Sequence, residues 1–371
     1  MRAMTGIILA LGVLGLATIA IGWQLSSQIL GPDRPPGLHE QRVLAVSARS
    51  IRLSRDAESL RAGTWCLEWE DGFGWARRVI AEDSAGVVRE FQPVLGVAPS
   101  RGWASLRGVP RSADPRTMLG LEFETVPIPG PLGACPAWFV PGRESTWVIY
   151  VHGRAAHRSE GLRTLGVLAS AGLPGLLISY RNDAGAPRSR DGHYHLGLTE
   201  WADLDAAVRF ALGHGARDVI LCGYSMGGQV ALQFMARSVL ARHVRGLVLE
   251  SPVLDWNTTL LQRAHVLHRP TLAVCLGEVF ATLRTGLDWN ALDRVAQPYG
   301  VTTPILLFHC SHDNVTPIAR SEAFARKLPR LVTLVRVAGG NHVEAWNADP
   351  DRYAAILLRW LAAHGIAAAT P

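Results

Sequence analysis

Apolar positions run along this chain in three rhythms. Met4 to Leu25 is almost unbroken hydrophobic sequence, and no charged side chain occurs from Ala3 to Pro32. From about residue 40 to 120, short β-like runs (Val43–Val46, Trp65–Trp69, Trp75–Ile80, Val87–Phe91) are separated by turn signals such as Asp71-Gly72 and Pro99. Beyond Leu121, apolar strands alternate with stretches of helical length. Each rhythm predicts a different kind of structure.

The third is the most informative. Leu121–Ile128 and Ala134–Val140 read as antiparallel strands joined by Pro129-Gly130-Pro131, and Trp147–Val151 as an apolar strand ending at His152-Gly153. Helices over 159–171 and 199–212 alternate with strands over 175–179 and 218–222. After the strand 247–249 come a strand over 305–308, a helix over 317–328, a strand over 332–337 and a last helix over 351–363. Such alternation predicts a mostly parallel sheet with helices on both faces, and functional groups beyond the carboxyl ends of its strands. Residues 256–298 interrupt the series with helices over 260–267 and 271–283. They are expected to form a small cap over the site, with a plain pair of surface helices as the alternative.

The first rhythm suits a helix crossing a hydrocarbon core of about 30 Å, with Trp23 at the interface. A retained transmembrane anchor over residues 1–30 is expected. A signal peptide cleaved near Ala20-Ile21-Gly22 is the alternative, although the apolar run exceeds the usual length of about 7–15 residues. Arg2 on one side faces Arg34 and Arg42 on the other, so orientation is not set. Gly31-Pro32-Asp33-Arg34-Pro35-Pro36-Gly37 reads as a stiff linker, within 31–39. Residues 40–120 form a small β-rich segment, either a domain or an elaborated sheet edge, without a chemical motif. The catalytic domain is then expected over 121–371.

Composition narrows the classes. At 371 residues, 48% apolar and 18% charged, the chain describes a globular protein with a substantial core. The net charge of +6 invites a nucleic-acid partner, but its arginines are scattered and no basic run occurs, so surface character is the reading. Lys327 is the only lysine, a usage resembling that of a GC-rich bacterial genome. Cys66, Cys135, Cys222, Cys275 and Cys310 are odd in number and widely spaced, which argues against a disulfide framework or zinc knuckle. His152, His157, His193, His195, His309 and His312 show no H-E-x-x-H or similar ligand spacing.

Candidate chemistry centres on Gly223-Tyr224-Ser225-Met226-Gly227, which follows the apolar run Val219–Cys222 and precedes a helical stretch. A serine on a sharp strand-to-helix turn needs near-absent side chains two positions either side, here Gly223 and Gly227, and gains a helix amino terminus beside its hydroxyl. Its hydroxyl requires a base, and the base requires orientation. His342, in Gly339-Gly340-Asn341-His342 beyond the last strand, is the candidate base, which predicts activity rising through an imidazole's titration range. Asp313 is the candidate acid, because the order Ser…Asp…His suits this arrangement, and Asp255 is the alternative. The oxyanion is expected to meet the N–H groups of Met226 and Arg154. Arg154, His157 and Arg158 line the same loop and could contact an anionic or polar leaving group.

On these motifs, over about residues 121 to 365, the chain resembles an α/β-hydrolase-fold serine hydrolase, of the group holding esterases, monoglyceride lipases and prolyl-oligopeptidase-like or serine aminopeptidases. Relatives usually carry His-Gly-x-x-Asp before the acid, where this chain has Cys310 in place of the glycine. The resemblance implies a Ser225–His342–Asp313 triad and an acyl-enzyme, with no metal or cofactor. A carboxylic or lipid ester is the expected substrate. A peptidase, an acyltransferase and a non-catalytic membrane-tethered scaffold are the alternatives, and nothing in the sequence speaks to oligomeric state.

Overall fold

The computed structural model describes residues 2–31, 41–97 and 99–366, with side chains of the first segment described from residue 16. The expected linker falls almost wholly outside these residues. Helix α1 (Arg2–Leu30) is followed by six strands: β1 (Gln41–Val46), β2 (Ser50–Ser54), β3 (Trp65–Trp69), β4 (Gly72–Glu82), β5 (Gly86–Leu95) and β6 (Gly102–Arg107). They close into an antiparallel barrel in the order β1-β2-β5-β4-β3-β6, with Gln41 of β1 opposite Ala104 of β6. The β-rich segment is therefore a barrel, not an extension of the main sheet. Alternation explains the closure: Trp65, Leu67 and Trp69 fill the interior with Val43, Ile51, Leu53 and Phe91, while Cys66 and Glu68 face outward. Register shifts along β4 let that long strand curve around the barrel. Buried Arg89 donates to the carbonyls of Ser59, Arg61 and Gly63 at 2.9, 2.7 and 3.0 Å, satisfying three acceptors of the loop between β2 and β3.

The remainder comprises α2 (Pro115–Leu119), β7 (Glu124–Gly130), β8 (Gly133–Val140), β9 (Thr146–Val151), α3 (Leu162–Ser170), β10 (Gly175–Ile178), α4 (Trp201–Gly213), β11 (Asp218–Tyr224), α5 (Met226–Arg237) and β12 (Val244–Glu250). Then come α6 (Trp256–Val266), α7 (Thr271–Thr285), β13 (Ile305–Cys310), α8 (Ile318–Lys327), β14 (Val332–Val337), α9 (Ala345–Ala348) and α10 (Pro350–Ala363). Eight strands form one sheet ordered β14-β13-β12-β11-β9-β10-β8-β7, parallel from β14 to β10, with β8 antiparallel to both neighbours. One face is covered through Leu204, Val208, Val230, Phe234 and Phe324, the other through Leu162, Leu165, Leu357 and Leu361. Trp75 of the barrel meets Trp346, ring centroids 5.7 Å apart, and joins this second core.

Helices α6 and α7 occupy the expected insertion, and α1 packs along α7. Two glycines permit the approach: a Cβ on Gly22 would fall 2.3 Å from the Phe280 ring, and one on Gly277 2.9 Å from Ile29. Arg284 donates to the Ser26 and Ser27 hydroxyls at 2.7 and 2.8 Å, and its guanidinium lies 4.1 Å over the Trp23 ring. Among the described residues no helix is long and apolar enough to cross a membrane. Of the expected span Met4–Leu25, side chains are described only from Leu16 onward, and its last turns rest against α7.

Candidate active site

Strands β9 and β11 are neighbours, yet the chain leaves β9 toward β10 on one side and leaves β11 toward β12 on the other. The loops beyond their carboxyl ends consequently part and leave a crevice. Ser225 sits at its lip, between β11 and α5, with φ 51° and ψ −117°. A non-glycine residue held there costs on the order of 1–3 kcal/mol, so packing must enforce it. The bonds Ser225 N–H to Glu250 O and Val253 N–H to Ser225 O, each 3.0 Å, do so. Close approach also demands the flanking glycines: a Cβ on Gly227 would lie 1.9 Å from the Val151 carbonyl oxygen, and one on Gly223 2.8 Å from the Gly227 carbonyl oxygen.

The structure brings Ser225, His342 and Asp313 together. Ser225 Oγ lies 2.8 Å from His342 Nε2, and His342 Nδ1 lies 2.9 Å from Asp313 Oδ2. With Nδ1–H directed at the carboxylate, Nε2 is left to accept from the hydroxyl. Asp313 is buried and receives the N–H groups of Val315 and Thr316 at 2.9 and 2.8 Å and the Thr316 hydroxyl at 2.9 Å. His309, read as a metal-ligand candidate or nothing at all, lies beneath it, with Nε2 3.3 Å from Asp313 Oδ2 and Nδ1 2.8 Å from the Ser321 hydroxyl. Burial pushes the Asp313 carboxyl up, but the His342 charge and the bonds from His309 and His342 outweigh it, leaving the group well below the usual carboxylate range. Cys310, which stands where relatives carry glycine, is accommodated by Gly340: a Cβ there would meet the Cys310 sulfur at 2.8 Å.

Asp255 is not part of this chain of bonds. It caps α6 through the Thr258 N–H and pairs with Arg320 at 3.1 Å. Asp313→Asn is expected to lower kcat by about 10⁴ by favouring the wrong imidazole tautomer. Asp255→Asn is expected to leave kcat within a few-fold and to cost at most about 1 kcal/mol. Steady-state rates of both variants decide between the acids, and a larger loss in the Asp255 variant would reverse the assignment.

On the oxyanion side, Met226 opens α5, where an N–H has no acceptor within the helix. Gly153 lies against Ser225, its hypothetical Cβ 3.1 Å from Ser225 Cβ. Its own N–H goes to Glu160 Oε2 at 2.7 Å. Arg154 follows, but its side chain turns away and donates to the Gln28 and Gly31 carbonyls at the end of α1, at 2.7 and 3.2 Å. Arg158 also turns away, to the Ser179 hydroxyl at 2.9 Å and over the Trp138 ring. His152 anchors the loop: Nε2 is 2.8 Å from Asp183 Oδ2 and the ring stacks on Tyr180. Glu160, Asp183 and Tyr180 carried no sequence signal, since nothing in local pattern marks a side chain that supports a distant loop.

His157 is half-buried against Trp138, and burial, then the Arg158 charge, lower its pKa to about 4. An unfolded histidine titrates near about 6.5, so between these values only the unfolded chain takes up the proton. Stability should therefore fall as pH drops from about 6.5 to 4, by about 1–2 kcal/mol after allowance for solvent screening. Asp313 adds a separate loss below about pH 4, where its unfolded carboxyl protonates first. Urea midpoints at pH 7, 5.5 and 4.5 should decline in the wild type and less steeply in His157→Gln; parallel declines would discount His157.

The cavity around Ser225 and His342 measures about 630 Å³, and its far wall is the barrel's exit, Leu106 to Val109 and Arg111. The barrel also grips the loop bearing His342. Arg61 pairs with Glu344, Thr64 N–H donates to Asn347 O at 2.8 Å, and Asn347 Nδ2 donates to the Thr64 and Gly108 carbonyls at 2.9 and 2.8 Å. A second groove of about 480 Å³ runs between α1 and the insertion helices, lined by Leu25, Ile29, Leu260 and Val274 beside Arg263 and Arg269, and Arg154 borders both spaces.

Strand order, elbow and loop positions define an α/β-hydrolase fold. Residues 143–294 match the family described as Serine aminopeptidase, S33; that segment holds Ser225 but ends before Asp313 and His342. Residues 42–105, the barrel, match a domain of unknown function, DUF8805. No curated protein matches the chain. Among solved structures, the Pyrococcus furiosus esterase Pf2001 is similar at 17% identity, covering 67% of this chain and 94% of its own, with a TM-score of 0.54. A second crystal form of it gives 19%, 67%, 93% and 0.53. A monoacylglycerol lipase of Paleococcus ferrophilus gives 18%, 62%, 99% and 0.46.

Proposed function

We propose that this protein is a serine hydrolase that cleaves carboxylic esters by way of an acyl-enzyme. The observation that carries the reading is the bonded series from Ser225 Oγ through His342 to the buried Asp313 carboxylate, opening on a cavity. His342 takes the hydroxyl proton as Ser225 attacks the ester carbonyl, Asp313 stabilises the resulting imidazolium, and the proton then passes to the departing alcohol. Water repeats the sequence to release the acid. The N–H groups of Met226 and Arg154 are assigned to the oxyanion.

Preference for an acyl ester over a peptide rests on the groove between α1 and the cap, whose apolar floor suits a hydrocarbon chain and whose rim at Arg154 adjoins the catalytic cavity. Rates on p-nitrophenyl esters of graded chain length, beside aminoacyl anilides, test the reading. Medium or long acyl esters should be turned over by the wild type and not by Ser225→Ala. Val274→Trp, which fills the groove, should lower the rate on a twelve-carbon ester by about tenfold relative to acetate. Faster cleavage of anilides would move the reading to a peptidase, and folded protein inert to esters, anilides and fluorophosphonate would move it to a scaffold. Attachment to a membrane through the uncharged run Ala3–Pro32 belongs to the same proposal and rests on sequence alone; recovery of the full chain in a carbonate-wash supernatant would remove it.

A further inference from the structure

The barrel has no evident reason to stand beside a hydrolase site, and its exit segment gives one. We propose that the strap from Arg107 to Arg111 forms the leaving-group side of the cavity and selects esters whose alcohol carries an anionic oxyacid group, a carboxylate or a phosphate. This rests on the ester-hydrolase reading.

The strap is built rather than loose. Buried Glu68, on the outer face of β3, receives the Arg111 N–H, the Ser112 N–H and the Ser112 hydroxyl at 2.9, 3.1 and 3.0 Å through Oε1. Its Oε2 lies 3.2 Å from Arg107 Nε. Gly108 passes so near Asn347 that a Cβ would stand 3.1 Å from its Oδ1. One carboxylate thus fixes both arginines against the loop that carries the base.

Charge around the cavity is unevenly matched. Of its two carboxylates, Glu160 is occupied by the Gly153 N–H and lies 3.8 Å from Arg163, and Glu344 by Arg61 and the Asn341 N–H. Arg107 is turned to Glu68. Among the described residues, no carboxylate within 4.0 Å pairs with the Arg111 guanidinium. Burial, and then the positive charge of Arg107, lower the Arg111 pKa, with the Glu68 carboxylate opposing them in part. The Arg111 charge is also felt at His157 on the opposite loop. A cation held beside a second cation, facing a partly enclosed space, is stabilised by an arriving anion. With the acyl chain in the groove bordered by Arg154, the alcohol half of an ester bound at Ser225 extends toward this strap.

The test compares 4-acetoxybenzoate and 4-acetoxyphenyl phosphate with neutral methyl 4-acetoxybenzoate. Wild type should favour the anionic esters in kcat/KM, and added salt should erode the preference. Arg111→Ala should lower the anionic-to-neutral ratio about two- to fivefold, the scale of one partly exposed charge pair, with Arg111→Lys retaining part of it. The carboxylate and phosphate esters report separately which anion is preferred. A ratio unmoved by Arg111→Ala, including an equal fall on all three esters, overturns the proposal. Calorimetric titration of the Ser225→Ala protein supplies a readout without turnover: 4-hydroxybenzoate should bind more tightly than its methyl ester, and Arg111→Ala should abolish the difference. Equal binding of the two, or binding of neither, overturns it, whereas absence of ester turnover with discriminating binding refutes only the ester-hydrolase reading.

Discussion

Replacing Ser225 by alanine, His342 by alanine, or both together is expected to lower kcat by a similar factor, on the order of 10⁴–10⁶. Near-equality of the three losses is the informative part. A hydroxyl 2.8 Å from Nε2 becomes an effective nucleophile only as its proton leaves, and without the nucleophile the imidazole has no proton to receive. Residual rate would come from oxyanion donors and binding, which survive all three changes. Single-turnover rates on one p-nitrophenyl ester settle it. Losses that multiply in the double variant would mean the two groups act independently, contrary to the bond between them.

Gly227→Ala should be the most disruptive small change in the chain. Its methyl group would sit 1.9 Å from the Val151 carbonyl oxygen and 2.7 Å from that of His152. Both belong to backbone, and β9 is fixed between β10 and β11, so no side chain can swing aside to relieve the overlap. The cost should exceed about 4 kcal/mol, equivalent to a melting temperature lowered by roughly 10 °C or to failure to accumulate folded protein. Gly213→Ala, at the end of α4 with nothing within 4 Å of the added carbon, is the matched control and should be neutral or slightly stabilising. Equal melting of both variants would mean the elbow is looser than its geometry implies.

How far the sequence carried the description depended on whether a feature is local. Val219 to Gly227 encodes strand, turn and helix start within one window, so Ser225 and its glycines were legible from spacing alone. Asp313 and His342 were legible because each directly follows an apolar strand, and parallel strands bring their carboxyl ends to one side. The closed barrel was not, because closure depends on which strands pair: β2 is only Ser50–Ser54, and β6 meets β1 across most of the segment. Glu68 and Arg163 escaped notice for a similar reason. Arg163, buried on α3, holds the Val343 carbonyl and Asn347, residues that adjoin it only in space. Nor does local pattern tell that the Arg154 side chain reaches the carbonyls of Gln28 and Gly31, 126 and 123 positions away.

Arg61 and Glu344 stand 283 positions apart in the chain, and their pairing has an architectural meaning. The imidazole's perch is shared property of two modules: Arg61 and the Gly108 carbonyl hold it from the barrel's side, and Arg163, Ser251 and Glu250 from the other. A chain trimmed to its α/β portion would keep Ser225, His342 and Asp313 yet expose the flank at Trp346 and lose the bonds that Arg61, Thr64 and Gly108 make to Glu344 and Asn347. Loss or exchange of this barrel should therefore disturb the setting of His342 together with the far wall of the cavity.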